Sequence, residues 1–339
     1  MLSRDKLDEI LRTLPRLTIG LVGDLFLDRY LHLVPGSHET SIETGLEAYQ
    51  VERIRNSPGA LGTVMNNLAA LGVGLLVPVT VIGDDGHGYD LLRQVRKLPA
   101  DPANVLCLPE RLTPTYTKPL RATGDGIWQE LNRLDVRTRA PLSAAATDEV
   151  CHRVETVFRT SDGLIVLDQL VDENWGIVNA QVRECIENLA RATPKKLVYV
   201  DSRRFLGRFS TGVLKGNRSE VFAATGATTP GDNETSLDQS LTALSAKTNR
   251  PAFCTIGERG ILVARPGQPA TQVPAQPVSG PIDIVGAGDA ATSGIVTALL
   301  SGADEFEAAA MGNLVASITI RQLGTTGTAT PDQLRAAAQ

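Results

Sequence analysis

Helical patterns and short apolar runs alternate along most of this chain of 339 residues. The hydrophobic spacing predicts helices near residues 3–14, 61–71, 87–97, 146–159, 174–192, 233–248, 288–301 and 304–321. Strand-like runs lie at residues 17–22, 75–82, 104–108, 163–168, 196–201 and 252–256. Because this alternation is typical of a parallel sheet covered on both faces, we expect an α/β protein.

Two segments, residues 30–55 and 115–135, depart from the alternation. Both alternate polar and apolar residues and carry no strong helical pattern, which predicts half-exposed antiparallel strands. No linker is long enough to divide two domains. We therefore expect one domain over residues 1–339, with these strands inserted as a small β lid and no second catalytic domain.

The composition argues against several classes of protein. The net charge is −5, aromatic residues make up 4%, and no basic run occurs, unlike in a nucleic-acid binder. No run of about 18 apolar residues occurs, so no membrane partner is expected. The four cysteines are scattered and the N-terminal segment lacks the apolar core of a signal peptide, which favours a cytoplasmic location.

Common nucleotide-binding loops are also missing. The chain contains no G-x-x-x-x-G-K-[ST] sequence, which argues against a P-loop enzyme. The first predicted strand leads into residues 20–24, which do not form a G-x-G-x-x-G loop. The sequence therefore also argues against an NAD-dependent oxidoreductase.

Residues 283–289 carry the most specific chemical pattern. A short strand signal leads into Gly286, Ala287, Gly288 and Asp289, and an apolar helical stretch follows. Glycines let the backbone approach a ligand closely, and the start of a helix attracts a phosphate. Asp289 would then take the proton from a substrate hydroxyl as a phosphoryl group arrives. The alternative is that Asp289 only caps the helix.

This segment resembles the Asp-Thr-Thr-Gly-Ala-Gly-Asp motif of the ribokinase-like (PfkB) carbohydrate kinases and differs at Ile284 and Val285. The resemblance runs from about Gly20 to Pro331. Within the family, the chain looks most similar to bacterial D-glycero-D-manno-heptose-7-phosphate kinase domains. It implies a ribokinase-like three-layer α/β/α sandwich with a mostly parallel central sheet and a β lid. It also implies that Gly286 to Gly288 form the anion hole and that Asp289 is the catalytic base.

Candidate sugar-binding residues follow the first strand and precede the next helix. Carboxylates at strand ends are well placed to bind sugar hydroxyls, and the family residue matching Asp28 does so. A solvated loop is the alternative. The segment from Pro58 to Thr63 resembles the family's Pro-Gly-Gly-x-x-Asn substrate loop, with Gly59 kept. It departs at Ala60, and Thr63 replaces the asparagine, so the resemblance implies kinase chemistry on an undetermined sugar.

The lid contains basic residues that are similar to lid segments of the heptose-phosphate kinases. Lys118, Arg121 and Arg133 would suit a substrate that already bears a phosphate, and a charged exterior is the alternative. Period-two spacing places Lys118 and Arg121 on opposite faces unless Pro119 introduces a bulge. The resemblance further implies a homodimer formed through the lid.

Nucleotide and metal ligands are assigned by the same resemblance. Asn217 and Glu220 form a capping-box pattern, and they also match the family's Asn-x-x-Glu motif, which holds Mg²⁺ through water beside the ATP phosphates. The other matches are Thr255, Gly257 and Gly260 in a nucleotide-binding turn, Asn313 near the adenine, and Asp283 at a monovalent cation such as K⁺.

The sequence therefore predicts an ATP-dependent phosphotransferase acting on a hydroxyl of a sugar or sugar phosphate. A heptose 7-phosphate, phosphorylated at its anomeric hydroxyl, is the first candidate acceptor. The alternative is a catalytically weak sugar or nucleotide sensor on a kinase scaffold. Ala60 and Thr63 motivate the sensor, and the intact Asp289 argues against it.

Overall fold

The computed structural model describes residues 2–124, 128–227, 234–324 and 326–338. The strands are β1 Thr18–Gly23, β2 Leu25–Leu33, β3 Glu39–Thr40, β4 Glu47–Ala48, β5 Val51–Ala60, β6 Leu75–Gly83, β7 Val105–Leu108, β8 Thr115–Ala122, β9 Trp128–Glu130, β10 Leu134–Val136, β11 Gly163–Asp168, β12 Leu197–Ser202, β13 Val213–Asn217, β14 Ala252–Thr255, β15 Ile261–Ala264 and β16 Thr271–Val273. The helices are α1 Arg4–Thr13, α2 Leu61–Leu71, α3 Gly86–Val95, α4 Ala144–Thr160, α5 Ala180–Ala192, α6 Arg218–Thr225, α7 Glu234–Thr248, α8 Ala287–Leu300, α9 Glu305–Thr319 and α10 Pro331–Ala337. Residues 125–127 of the expected lid and residue 233, the expected start of a helix, lie outside the described residues.

The main sheet is mostly parallel. Within the described residues it has nine strands in the order β16-β15-β14-β13-β12-β11-β1-β6-β7. Neighbours from β7 to β14 are parallel, and β15 and β16 are added antiparallel. In β11, Ile165 and Leu167 enter one apolar core, while Leu164 and Val166 enter the other. This period-two division confirms that both faces of the sheet are covered.

Helices cover the sheet in two layers. One core is built from the apolar sides of α1, α2, α3, α8, α9 and α10, and the other from those of α4, α5, α6 and α7. The expected three-layer α/β/α sandwich is confirmed. None of the helices in the described part of the chain is long and apolar enough to cross a membrane.

The helix predicted over residues 174–192 begins later than expected. Asn179 accepts a hydrogen bond from the N–H of Val182, so α5 starts at Ala180. The preceding loop instead wraps around Asp24, whose buried carboxylate accepts hydrogen bonds from the N–H groups of Gln169 and Ile177. Bonds to a carboxylate distant in sequence override the local helical periodicity here.

The lid is a second sheet in the order β10-β8-β2-β5, with β9 paired to β8. β2 is antiparallel to β5 but parallel to β8, so the expectation of a wholly antiparallel lid is wrong. The reason is the direction of entry: β2 follows β1 and β8 follows β7, and β1 and β7 point the same way in the main sheet. The pairing of β2 with β8 continues through Pro119 without a bulge. Lys118 and Arg121 therefore project from opposite faces.

Candidate active site

Within the described ranges, the start of α8 leaves backbone N–H groups without acceptors. Gly286 precedes the helix with a positive φ of 82°, and no side chain caps it. The N–H of Ala287 donates to Ile284, whereas the described residues offer no acceptor to the N–H groups of Gly288 and Asp289. A side chain on Gly288 would place its Cβ 3.3 Å from Nζ of Lys215. This is the geometry that binds a phosphoryl group at the positive end of a helix.

Asp289 lies in the first turn of α8 and does not cap it, so the capping alternative is wrong. Burial raises the pKa of its carboxyl to about 7, and the charge of Asp201 acts in the same direction. Lys215 and Arg203 oppose this shift. A carboxylate that exchanges its proton near neutral pH, beside the uncapped start of a helix, is suited to act as a general base.

Lys215 and Asp201 form a buried ion pair beneath this site, and the sequence analysis did not identify either residue. Nζ of Lys215 on β13 lies 2.6 Å from Oδ2 of Asp201 on β12, and Thr292 of α8 donates to the same oxygen at 3.0 Å. Burial disfavours the Lys215 ammonium, but Asp201, Asp289 and Glu220 raise its pKa. The signal available in the sequence was a lone lysine in an otherwise apolar strand just before Asn217.

Arg203 follows β12 and was also not identified from the sequence. Its backbone N–H donates to the carbonyl oxygen of Asp168 at 2.9 Å, and its side chain is exposed. Burial raises the pKa of both Asp289 and Glu220, and the charge of Arg203 lowers both. Arg203 is therefore close enough to act electrostatically on Asp289 and on Glu220.

Asn217 and Glu220 form the capping box that the pattern predicts. Oδ1 of Asn217 accepts from the N–H of Glu220 at 3.0 Å, and Oε2 of Glu220 accepts from the N–H of Asn217 at 2.7 Å. Among the described residues, no three acidic, histidine or cysteine side chains gather into a direct metal site. One amide and one carboxylate are a donor set that suits a Mg²⁺ ion held through water and substrate phosphates.

The turn between β14 and β15 holds three of the expected nucleotide-binding residues. Thr255 ends β14 directly opposite Asn217, so the structure brings these two residues together. Gly257 and Gly260 have positive φ values of 66° and 101°. A Cβ on Gly260 would lie 2.2 Å from the carbonyl oxygen of Val273, whereas a Cβ on Gly257 would meet no atom within 4 Å. Gly260 is thus required by packing, and the Gly257 side of the turn is open.

Asn313 and Asp283 each fasten a loop near this site. Nδ2 of Asn313 donates to the carbonyl oxygens of Val273 and Pro274, at 3.0 and 3.1 Å. The Asp283 carboxylate accepts from the N–H groups of Val285 and Gly324, at 3.0 and 3.1 Å. Asp283 therefore orders the loop that leads into α8.

The expected sugar-binding residues meet at the base of the lid. Oδ1 of Asp28 on β2 lies 2.9 Å from Nζ of Lys118 on β8. A Cβ on Gly59 would lie 2.4 Å from Oδ2 of Asp28, so a glycine is needed there. Thr63 is buried, and its methyl group lies 3.6 Å from the position of a Cβ on Gly286, which places the loop from Pro58 to Thr63 beside the start of α8.

The other two basic lid residues pair elsewhere. Arg121 contacts Glu47 at 2.8 Å on the face opposite Lys118. Arg121 therefore ties β8 to β4 and projects away from Asp28, on the face opposite the other expected sugar-binding residues. Arg133 forms two hydrogen bonds with Asp135, at 2.7 and 2.9 Å, and lies over the ring of Tyr116.

Curated relatives align with nearly the whole chain. The bifunctional protein HldE of Caulobacter sp. (strain K31) is 29% identical over 325 residues, covering 94% of this chain and 63% of the relative. HldE of Pseudomonas fluorescens (strain SBW25) is 30% identical over 323 residues, covering 93% of this chain and 62% of the relative. The chain thus spans a little under two thirds of the length of these relatives.

Solved structures share the fold at low identity. Arabidopsis thaliana ribokinase, complexed with ribose and ATP, has a TM-score of 0.67 at 15% identity. The superposition covers 95% of this chain and 99% of the ribokinase chain. Methanocaldococcus jannaschii nucleoside kinase, an archaeal member of the ribokinase family, has a TM-score of 0.59 at 17% identity, with coverages of 95% and 97%. The sequence profile described as pfkB family carbohydrate kinase matches residues 38–333. The chain belongs to the PfkB family of carbohydrate kinases and has the ribokinase fold.

Proposed function

We propose that this protein transfers the γ-phosphoryl group of ATP to a hydroxyl of a sugar or sugar phosphate. The observation that carries the proposal is Asp289, a carboxylate with a pKa of about 7 beside the uncapped start of α8. A heptose 7-phosphate, phosphorylated at the anomeric hydroxyl, is the first candidate acceptor, because the chain aligns with HldE proteins and resembles heptose-phosphate kinases. Thr63, in place of the family's asparagine, leaves room for another sugar.

Different residues of the chain perform different parts of the reaction. Asp28 accepts hydrogen bonds from the acceptor and orients it, and Asp289 removes the proton of the attacking hydroxyl as the new O–P bond forms. The bond from the γ-phosphorus to the bridging oxygen breaks, and ADP leaves with that oxygen. The backbone from Gly286 to Gly288 and the ammonium of Lys215 stabilise negative charge on the transferring group.

Asn217 and Glu220 would hold the waters of a Mg²⁺ ion, and Thr255 and Gly257 would line the nucleotide. The ion would neutralise charge on the ATP phosphates. Asn313, through its bonds beside β16, would support the adenine side of the site. A monovalent cation such as K⁺ near Asp283 would stiffen the loop that leads into α8.

The test is an ADP-release assay with ATP and Mg²⁺ across a panel of free sugars and sugar phosphates that includes heptose 7-phosphates. We expect acceptor-dependent ADP release and, by mass spectrometry, a product heavier by one phosphate group. Acceptor binding without turnover across the whole panel would instead support the sensor, which the substitutions at Ala60 and Thr63 motivate.

A further inference from the structure

One face of the lid carries a row of polar side chains that runs outward from Asp28. Along β2, Asp28, Tyr30 and His32 share this face, since side chains alternate along a strand. The register places Arg55 of β5 opposite Tyr30 and Arg53 opposite His32. Residues two apart on a strand are separated by about 6.8 Å. Arg55 therefore lies about one such spacing farther out along the lid than Asp28, and Arg53 lies about two.

Lys118, on the same face, is already neutralised. Its Nζ lies 2.9 Å from Oδ1 of Asp28 and donates to the hydroxyl of Tyr30 at 3.3 Å. Burial alone would lower the pKa of Lys118, but Asp28 raises it, so the two residues form a charged pair. This pair offers hydroxyls both a donor and an acceptor and contributes little net charge.

Arg55 and Arg53 carry positive charge on the same face as Asp28. The guanidinium of Arg55 lies over the ring of Tyr30, 3.8 Å from its centre, and Arg53 contacts Nδ1 of His32 at 3.2 Å. Neither arginine pairs with a carboxylate in the part of the chain that the structure describes. Burial lowers the pKa of His32, both arginines lower it further and Glu52 raises it, so the net shift favours the neutral imidazole beside the two arginines. Stacking on Tyr30 fixes the plane of the Arg55 guanidinium and leaves its edge free to donate hydrogen bonds.

We propose that Arg55, supported by Arg53, binds a phosphate group that the acceptor already carries. Asp28 then holds the sugar hydroxyls at the inner end of the row, nearer the catalytic base Asp289. A guanidinium edge matches two phosphate oxygens, and two arginines match the double charge of a phosphate monoester. The three basic residues that the sequence suggested for this task each contact a carboxylate: Lys118 contacts Asp28, Arg121 contacts Glu47, and Arg133 contacts Asp135, which Arg137 also contacts. The inference rests on the proposed function and names the feature that selects its acceptor.

The test compares Arg55→Gln and Arg55→Lys with Arg121→Gln, which removes a paired arginine from the opposite face of the same lid. Isothermal titration calorimetry without ATP would measure the binding of ribose and ribose 5-phosphate, fructose and fructose 6-phosphate, and sedoheptulose 7-phosphate. Arg55→Gln should weaken the tightest-binding sugar phosphate by roughly 10- to 150-fold, the worth of one charge-assisted hydrogen bond. Free sugars should bind as before, Arg55→Lys should fall in between, and Arg121→Gln should match the wild type.

Equal losses for free and phosphorylated sugars, or no loss for either, would overturn the inference. So would a wild type that binds none of the phosphorylated sugars, or an Arg55-dependent preference for a sugar acid such as gluconate. Undiminished turnover of a sugar phosphate by Arg55→Gln would refute the phosphate site and leave the kinase proposal standing. Arg55-dependent binding of sugar phosphates without ADP release from any acceptor would refute the kinase proposal and keep the site.

Discussion

The carboxylate of Asp289 takes up a proton near neutral pH because burial disfavours its charged form. A base must be ionised to accept a proton, so kcat/KM should decline as the pH falls below about 7. We predict an acidic limb with an apparent pKa of about 7 in a pH profile measured with a free sugar. A free sugar is used because the phosphate group of a sugar phosphate itself titrates at about pH 6, which would overlap with the limb.

Asp168 provides the control for that profile. Burial raises the pKa of its carboxyl to about 7 as well, and it accepts a hydrogen bond from Ser202 at 2.8 Å. Asp168→Asn should keep the acidic limb if Asp289 is the base. A profile that stays flat to about pH 5, or a limb that disappears in Asp168→Asn, would assign the titration elsewhere.

Lys215 is predicted to have a structural and a chemical role that can be separated. Lys215→Met leaves Asp201 buried without its partner, which should cost about 3–5 kcal/mol in the free energy of unfolding. The double variant Lys215→Met/Asp201→Asn removes both charges and should recover most of that loss. Its turnover should stay low because no ammonium faces the phosphoryl group. Denaturant unfolding and ADP release measure the two effects, and recovery of turnover would show that Lys215 only supports the fold.

The start of α6 combines a helix cap with a proposed metal site. Serine caps a helix about as well as asparagine but lacks its amide group. Asn217→Ser should therefore keep the melting temperature while raising the Mg²⁺ concentration needed for half-maximal activity. Asn217→Ala should lose the cap too, at about 1 kcal/mol. If Asn217→Ser and the wild type require the same Mg²⁺ concentration, Asn217 acts as a cap alone.

Elements with purely local signals were predictable from the sequence. The predicted bounds of α2 and β11 match the structure, since each has a continuous apolar pattern and a clear end. The loop before α5 was missed because its hydrogen bonds go to Asp24, far away in sequence. The parallel pairing of β2 with β8 was missed for a similar reason, because it depends on how the chain leaves β1 and β7.

In the candidate site, too, local patterns were predictable from the sequence and contacts between distant residues were not. The glycines and Asp289 stand together in one short segment, so spacing alone suggested their chemistry. Lys215 and Asp201 come from separate strands, and their contact exists because β12 and β13 are neighbours in the sheet. Period-two spacing placed Arg121 and Lys118 on opposite faces, but their pairing with Glu47 and Asp28 follows from the folded lid.

For the molecule as a whole, the lid exposes apolar side chains that a second copy would cover. Ile54 and Leu134 are 56% and 65% exposed and lie on the lid face opposite Asp28, and β5 is an edge strand. We predict a homodimer formed through this face, which Ile54→Glu should convert to a monomer in light scattering. Leu75→Glu, at the start of β6, is the control and should remain dimeric. A monomeric wild type, or a dimeric Ile54→Glu, would contradict the prediction.

The central claim is that Asp289 acts as the base of a sugar kinase, and Asp289→Asn tests it most directly. Asparagine keeps the shape of the side chain and cannot accept the proton. With the best acceptor from the panel, turnover should fall by about 10²–10⁴-fold. The circular dichroism spectrum and acceptor binding should remain those of the wild type. Near-normal turnover by Asp289→Asn would contradict the proposed mechanism.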